Sequence, residues 1–246
     1  MSTMLAVLWT ISLLFGPQEP TRLDHASRVP VLVYHHIANH AGAWYVSPRR
    51  FEQELAWLSG HDFHTVSLDA YITAMETGDA LPPNSIVLTF DDGYADAYTD
   101  AFPLLRKYSF TGTFFVITGV VGWPSFLTWD QIIEMQNAGM EIGAHTVHHP
   151  FLTKLSLQQA QYEIEQSRLD LVEHLPTPPT VFAYPYNDHN AEIVSMVQTA
   201  GFRGAVVVAK HRGDAIRSAF EIPRITIGSG ERLKIFVLVV SGQLSA

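Results

Sequence analysis

From Pro30 onward, short runs of β-branched and aromatic residues alternate with amphipathic stretches, and this alternation constrains the fold more than any other feature of the chain. The runs at 29–34, 86–90, 113–117, 141–144, 181–184 and 204–208 read as strands buried in a core. Between the first two, Ser47-Pro48 supplies an N-cap and a first-turn proline, and Phe51, Leu55 and Leu58 recur at helical spacing. Further helical periods cover 98–108, 128–138, 156–175 and 191–200. Strands that alternate with helices in this way build a parallel sheet, open or closed, because each parallel neighbour needs a long crossover. The 246 residues suffice for one sizeable core, and α/β barrels reach this length as a single domain.

Composition narrows the chemistry. With 47% apolar, 16% charged and 11% aromatic residues, the chain is globular rather than disordered or membrane-embedded throughout. Its formal charge is −9, and its 15 Lys and Arg form no dense basic stripe, which argues against a nucleic-acid partner. Cysteine is absent, so there is neither a disulfide framework nor a thiolate metal site; a metal would have to be held by Asp, Glu or the 12 histidines.

Residues 4–15 are apolar and end at the breaker Gly16-Pro17-Gln18-Glu19-Pro20. That length suits the core of a signal peptide better than a membrane span of about 20 residues. No Lys or Arg precedes the run and no A-x-A-like cleavage site follows it. The expectation is a signal peptide or membrane-anchoring segment at 1–20, a catalytic domain at 30–246, and an extracytoplasmic location, whether secreted, periplasmic or tethered.

Parallel α/β sheets place their chemistry where the strands end. Four strand ends here carry reactive side chains: His35-His36, Asp91-Asp92-Gly93, the segment from His145 to His149, and Pro185-Tyr186-Asn187. One such end could be a helix cap or a turn; four at one rim indicate a site. His145 and His149 are four apart, a spacing that on a helical turn brings both imidazoles to one side, although about 0.6 such pairs arise by chance among twelve histidines. Their position after a strand, with the Thr146 hydroxyl free to hold the loop, favours a ligand pair. Two imidazoles and a carboxylate leave coordination positions open for water and substrate, as a hydrolytic metal requires. The second carboxylate is then available as a base.

The stretches "TFDDG" at 89–93, "HTVHHP" at 145–150 and "FAYPYN" at 182–187, in this order, resemble the polysaccharide deacetylase family, the NodB-homology domain or carbohydrate esterase family 4. The resemblance extends from about residue 30 to about 227, and includes "VPVLVYHHI" at 29–37, "WPSFLTWDQI" at 123–132 and "EIPRITI" at 221–227. It implies a distorted (β/α) barrel with seven parallel strands. It implies that Asp92, His145 and His149 bind a divalent metal, commonly zinc, with cobalt or nickel as substitutes, that Asp91 is the general base, and that the backbone N–H of Tyr186 stabilises the oxyanion.

Three departures from the family pattern bear on the mechanism. Ala183 stands where an arginine that orients the base is common, and Asn187 stands where a glycine often ends the motif. Arg224 in "IPRITI" is a candidate for the missing charge, and a surface ion pair is its competing role. The C-terminal Leu-x-His motif is absent, His211 being the last histidine. In this respect the chain is similar to the subgroup with poly-N-acetylglucosamine deacetylases, in which the histidine of the first-strand "YH", here His35, is the acid. His36 reads as structural, His148 as solvent-facing or supporting, His61, His64 and His174 as surface residues, and Tyr94 and Trp129 as groove or core aromatics.

The reading that follows is a monomeric metal-dependent hydrolase removing N-acetyl groups from the amino sugars of a poly-N-acetylglucosamine, chitin-like or peptidoglycan glycan. Two alternatives stand beside it: a deacylase or amidase acting on a xylan ester or small cyclic amide, and a non-catalytic glycan-binding module on the same scaffold. A binding module has no chemical need for both carboxylates.

Overall fold

The computed structural model describes residues 29–209, 214, 216, 218–230 and 232–243; the expected leader at 1–20 and His211 lie outside them. Seven parallel strands close into a barrel: β1 (Val31–Tyr34), β5 (Ser85–Phe90), β6 (Thr113–Val116), β7 (Glu141–Ala144), β8 (Val181–Ala183), β9 (Gly204–Val208) and β10 (Ile222–Thr226). The ring closes because β1 pairs with β5 on one edge (Val31 opposite Val87) and with β10 on the other (Leu32 opposite Ile225). Short strands β2 (His36–Ile37) and β3 (Tyr45–Val46) pair with each other above β1, and β4 (His64–Thr65) adds to the start of β5.

Helices α1 (Pro48–Gly60), α2 (Leu68–Thr77), α3 (Phe102–Lys107), α4 (Trp129–Asn137), α5 (Leu157–His174), α6 (Ala191–Thr199) and α7 (Leu233–Val240) connect and cover the strands. Their starts follow local chemistry. Ser47 accepts from the Arg50 N–H ahead of Pro48, and Thr128 with Gln131 and Ser156 with Gln159 form capping boxes. The helix expected at 98–108 is divided: a wide turn over Ala97–Ala101 precedes α3, and Pro103 falls in the first turn of α3, where its missing N–H costs nothing.

Strand alternation makes two cores. One face, with Leu32, Leu88, Phe90, Phe114, Ile142 and Phe182, packs under the helices. The other, with Val31, Val87, Phe115, Val181, Val206 and Ile222, fills the barrel and is joined by Leu68, Tyr71 and Ile72 of α2, which plug the end where the strands begin. Glu141, at the start of β7, accepts from the Leu68 and Asp69 N–H groups and seats that plug. Space inside is tight. A Cβ on Gly143 would lie 2.6 Å from the Phe115 ring. With one end of the barrel filled by α2, polar groups gather at the other.

Candidate metal and catalytic site

The strand ends bring the expected residues together. Asp91 and Asp92 follow β5, His35 follows β1, His145 follows β7 and Tyr186 follows β8. The histidine pair sits on a loop that Thr146 helps to hold. Thr146 and His149 have φ of 66° and 56°, and the His149 N–H donates to the Thr146 hydroxyl at 2.9 Å, so a left-handed turn closes the segment. Positive φ recurs at Asp92 (75°), Tyr186 (56°) and Asn187 (60°), so the site loops hold much of the chain's strained backbone.

Asp92 Oδ1 lies 3.4 Å from His145 Nε2 and 3.4 Å from His149 Nε2, and the two nitrogens are 3.1 Å apart. The other nitrogen of His145, Nδ1, donates to the Ala183 carbonyl at 2.8 Å, which leaves Nε2 as a bare lone pair facing the triangle. Two imidazole nitrogens facing each other beside a carboxylate call for a cation or a proton between them. Ligands placed tetrahedrally at roughly 2.0–2.1 Å from zinc stand about 3.3 Å apart. The three donor atoms fit such an ion, and they are the group among the described residues whose geometry can hold one.

Behind the triangle, Asp91 is clamped. Arg224, 1% exposed, donates from two nitrogens to its two carboxylate oxygens at 2.6 and 2.7 Å, and a third bond runs to the Thr89 hydroxyl at 3.0 Å. The charge that the family's third motif often supplies from β8 comes here from β10. Ala183, at the vacated position, is fully buried in the barrel. Asn187, in place of glycine, adopts the left-handed backbone that Asn tolerates and accepts from the Val208 N–H at 2.7 Å, fixing the turn after β8 to the end of β9.

The electrostatics follow from this crowding. Burial raises the pKa of Asp91, but the Arg224 guanidinium and the imidazoles of His145 and His35 outweigh it and hold the carboxyl below its ordinary range. Asp92 is likewise held low, burial being outweighed by His145, His35 and His149. Burial, then the neighbouring His145, lowers His149 to about 4, so its ring is neutral and able to ligate at neutral pH. His145 moves upward: burial works against its charge, and the bond to Asp92 and the charge of Asp91 prevail. His35 is lowered, chiefly by burial, and its buried Nδ1 has no hydrogen-bond partner.

Other residues support this centre. His36 donates to Asp96 at 2.6 Å and stacks between Tyr45 and Tyr94, with centroids at 4.2 and 3.7 Å. Tyr94, stacked on His36, belongs to the site, and the nearby charge of Asp92 adds to burial in raising its pKa, whereas Trp129 stacks on His174 of α5. Glu163 of α5 accepts from the backbone N–H groups of Val147 and His148 and from the His148 ring, and so holds the ligand loop from behind. Glu163, Asp96 and Trp44, which is tilted over His35 at 4.7 Å, were not apparent from sequence. Asp96 and Glu163 act through contacts 60 and 15 residues away in sequence, which leave no local pattern.

Residues 78–205 match the model of a family described as polysaccharide deacetylase. YxkH of Bacillus subtilis (strain 168) is 30% identical over 212 residues, 85% of this chain and 75% of that protein. A poly-β-1,6-N-acetyl-D-glucosamine N-deacetylase of Staphylococcus aureus (strain MSSA476) is 28% identical over 74% of this chain and 67% of its own length. Among solved structures, the Streptococcus pyogenes deacetylase PplD in complex with acetate superposes with a TM-score of 0.81 at 26% identity, covering 86% of this chain and 97% of PplD.

Proposed function

Since the chain belongs to the polysaccharide deacetylase family and is an enzyme of that class, we propose that it hydrolyses the N-acetyl groups of amino sugars in a glycan, releasing acetate and leaving free amines. Poly-N-acetylglucosamine, the substrate named for the staphylococcal relative, is the first candidate; chitin-like and peptidoglycan glycans are the others. The observation that carries the reading is the Asp92–His145–His149 triangle standing beside a second carboxylate that Arg224 keeps ionised.

Asp92, His145 and His149 would hold a divalent metal, most aptly zinc, with cobalt or nickel able to replace it. When bound, such an ion polarises the acetyl carbonyl and brings the pKa of a coordinated water to about 7. Asp91 takes the proton from the attacking water; its depressed pKa keeps it in the accepting form, and Arg224 fixes both oxygens so that the base meets the water in one orientation. The backbone N–H of Tyr186 donates to the oxygen that becomes negative. His35, beside the carboxylates and under Trp44, passes to the departing nitrogen the proton that Asp91 takes from the water. The apolar segment at 4–15 fits export or tethering, which would bring the enzyme to an extracytoplasmic glycan. Among the described residues no helix is long and apolar enough to cross a membrane. We take the active form to be a monomer, since all the proposed groups come from one chain.

The test is acetate release from N-acetylglucosamine oligomers by protein lacking residues 1–20, before chelation, after it, and after zinc is restored. Release that vanishes and returns supports the reading. Asp91→Asn is expected to retain zinc and lose turnover; unchanged turnover would reject Asp91 as the base.

A further inference from the structure

Two large rings stand exposed beside the metal triangle. Tyr186 is 56% exposed and meets the His149 ring edge-on at 4.4 Å; Phe151 is 49% exposed and stacks on Tyr186 at 4.0 Å with an interplanar angle of 12°. Among the described residues Phe151 makes no ring contact with His149, so it extends the aromatic surface one ring outward from the centre.

The two rings are carried by different loops, and those loops are tied together. Asp188, two residues after Tyr186, accepts from both the N–H and the hydroxyl of Thr153, two residues after Phe151, at 2.8 Å each. The Tyr186 turn is closed by Asn187 N–H to the Tyr184 carbonyl and Asp188 N–H to the Pro185 carbonyl, and anchored through Asn187 to β9. A bulky residue at φ 56° is a costly conformation, and here the turn that carries it is held by five hydrogen bonds. Half-exposed Phe surface gains nothing for the fold that a smaller residue would not. A rigid, flat, apolar face next to a catalytic centre is what the apolar face of a pyranose ring stacks on, and rigidity reduces the entropy lost on binding.

We propose that Phe151, braced by Tyr186 and the Asp188–Thr153 tie, is a binding subsite for the sugar next to the one being deacetylated, and so makes the enzyme prefer oligomers to monosaccharides. This rests on the deacetylase reading above. Among the described residues Phe151 makes no ring contact with a proposed ligand; its part is to hold the neighbouring pyranose and thereby set the register of the reacting acetamide.

The experiment measures kcat and KM for acetate release from β-1,4- and β-1,6-linked N-acetylglucosamine oligomers of one to five units, using zinc-loaded wild type, Phe151→Ala, Phe151→Leu and Phe151→Trp. Zinc content and Tm are measured on each. The expected result is that kcat/KM of the wild type rises with chain length. In F151A and F151L that rise shrinks by about three- to tenfold, through KM. F151W restores it, and zinc content does not change across the set. Leu fills the space on Tyr186 without offering a ring, so F151L separates stacking from packing. Wild-type release with the same chain-length dependence in F151L as in wild type overturns the subsite alone. No release from any oligomer by the zinc-loaded wild type overturns the deacetylase reading, and the subsite with it.

Discussion

Arg224 is buried, and among the described residues Asp91 is the carboxylate it pairs with, so its guanidinium and Asp91 depend on each other. Removing one member of a buried pair leaves the other charged and unsolvated, at a cost of about 3–5 kcal/mol. Arg224→Ala is expected to lose that much unfolding free energy in denaturant and nearly all acetate release. Arg224→Lys keeps the charge without the two parallel bonds; it should recover part of the stability and still lose roughly tenfold or more in kcat. The metal ligands predict a pH dependence of binding. His145 must be neutral to ligate, and its raised pKa means that protons compete for Nε2 at higher pH than for a free histidine. Zinc affinity, measured by competition with a chromophoric chelator, should therefore weaken as pH falls from 8 to 6, with proton release on binding. Asp91, Asp92 and His145 stood out in the sequence because they sit at the end of an apolar run, and His149 because it lies four residues after His145 in the same segment. The Arg224–Asp91 pairing could only be suspected, because partners 133 residues apart leave no local pattern.

Elements were readable where their ends carry local signals. Ser47 marked the start of α1, the helices expected at 128–138 and 156–175 are α4 and α5 to within a residue at each end, and most strands of the barrel wall declared themselves as apolar runs. Two elements escaped for different reasons. The plug helix α2 mixes Leu68, Tyr71 and Ile72 with polar residues in a short segment, and it is packing against the barrel floor that defines it. Strand β10 contains Pro223, which reads as a breaker, and tolerates it as the five-residue strand that closes the ring. The apolar segment Leu233–Val240 forms helix α7, with Phe236 edge-on to Trp57 of α1. Tight packing between elements gives a further prediction. Gly143→Ala would force a methyl into the Phe115 ring and should cost about 1–3 kcal/mol in thermal or denaturant unfolding. Gly119→Ala would meet the Val147 carbonyl at 2.5 Å, behind the ligand loop, and should lower zinc affinity as well as stability.

Across the whole molecule, closure of the ring couples the site to global stability. The triangle draws its ligands from the ends of β5 and β7, so an ion bound there favours the folded over the unfolded chain. At zinc concentrations about 100 times Kd the gain is about 2.7 kcal/mol, a rise of roughly 5–10 °C in Tm. Differential scanning fluorimetry should show that rise in the wild type, and its absence in His149→Ala or after chelation.

His35, Asp91 and Arg224 stand on or just beyond three consecutive staves, β1, β5 and β10, and β10 is the last of these to appear as the chain is made. A nascent or refolding molecule can therefore present its carboxylates and imidazoles long before the guanidinium that steadies Asp91 arrives. Hydrolysis would begin only when the barrel's seam shuts, and the first acetate released would time that closure.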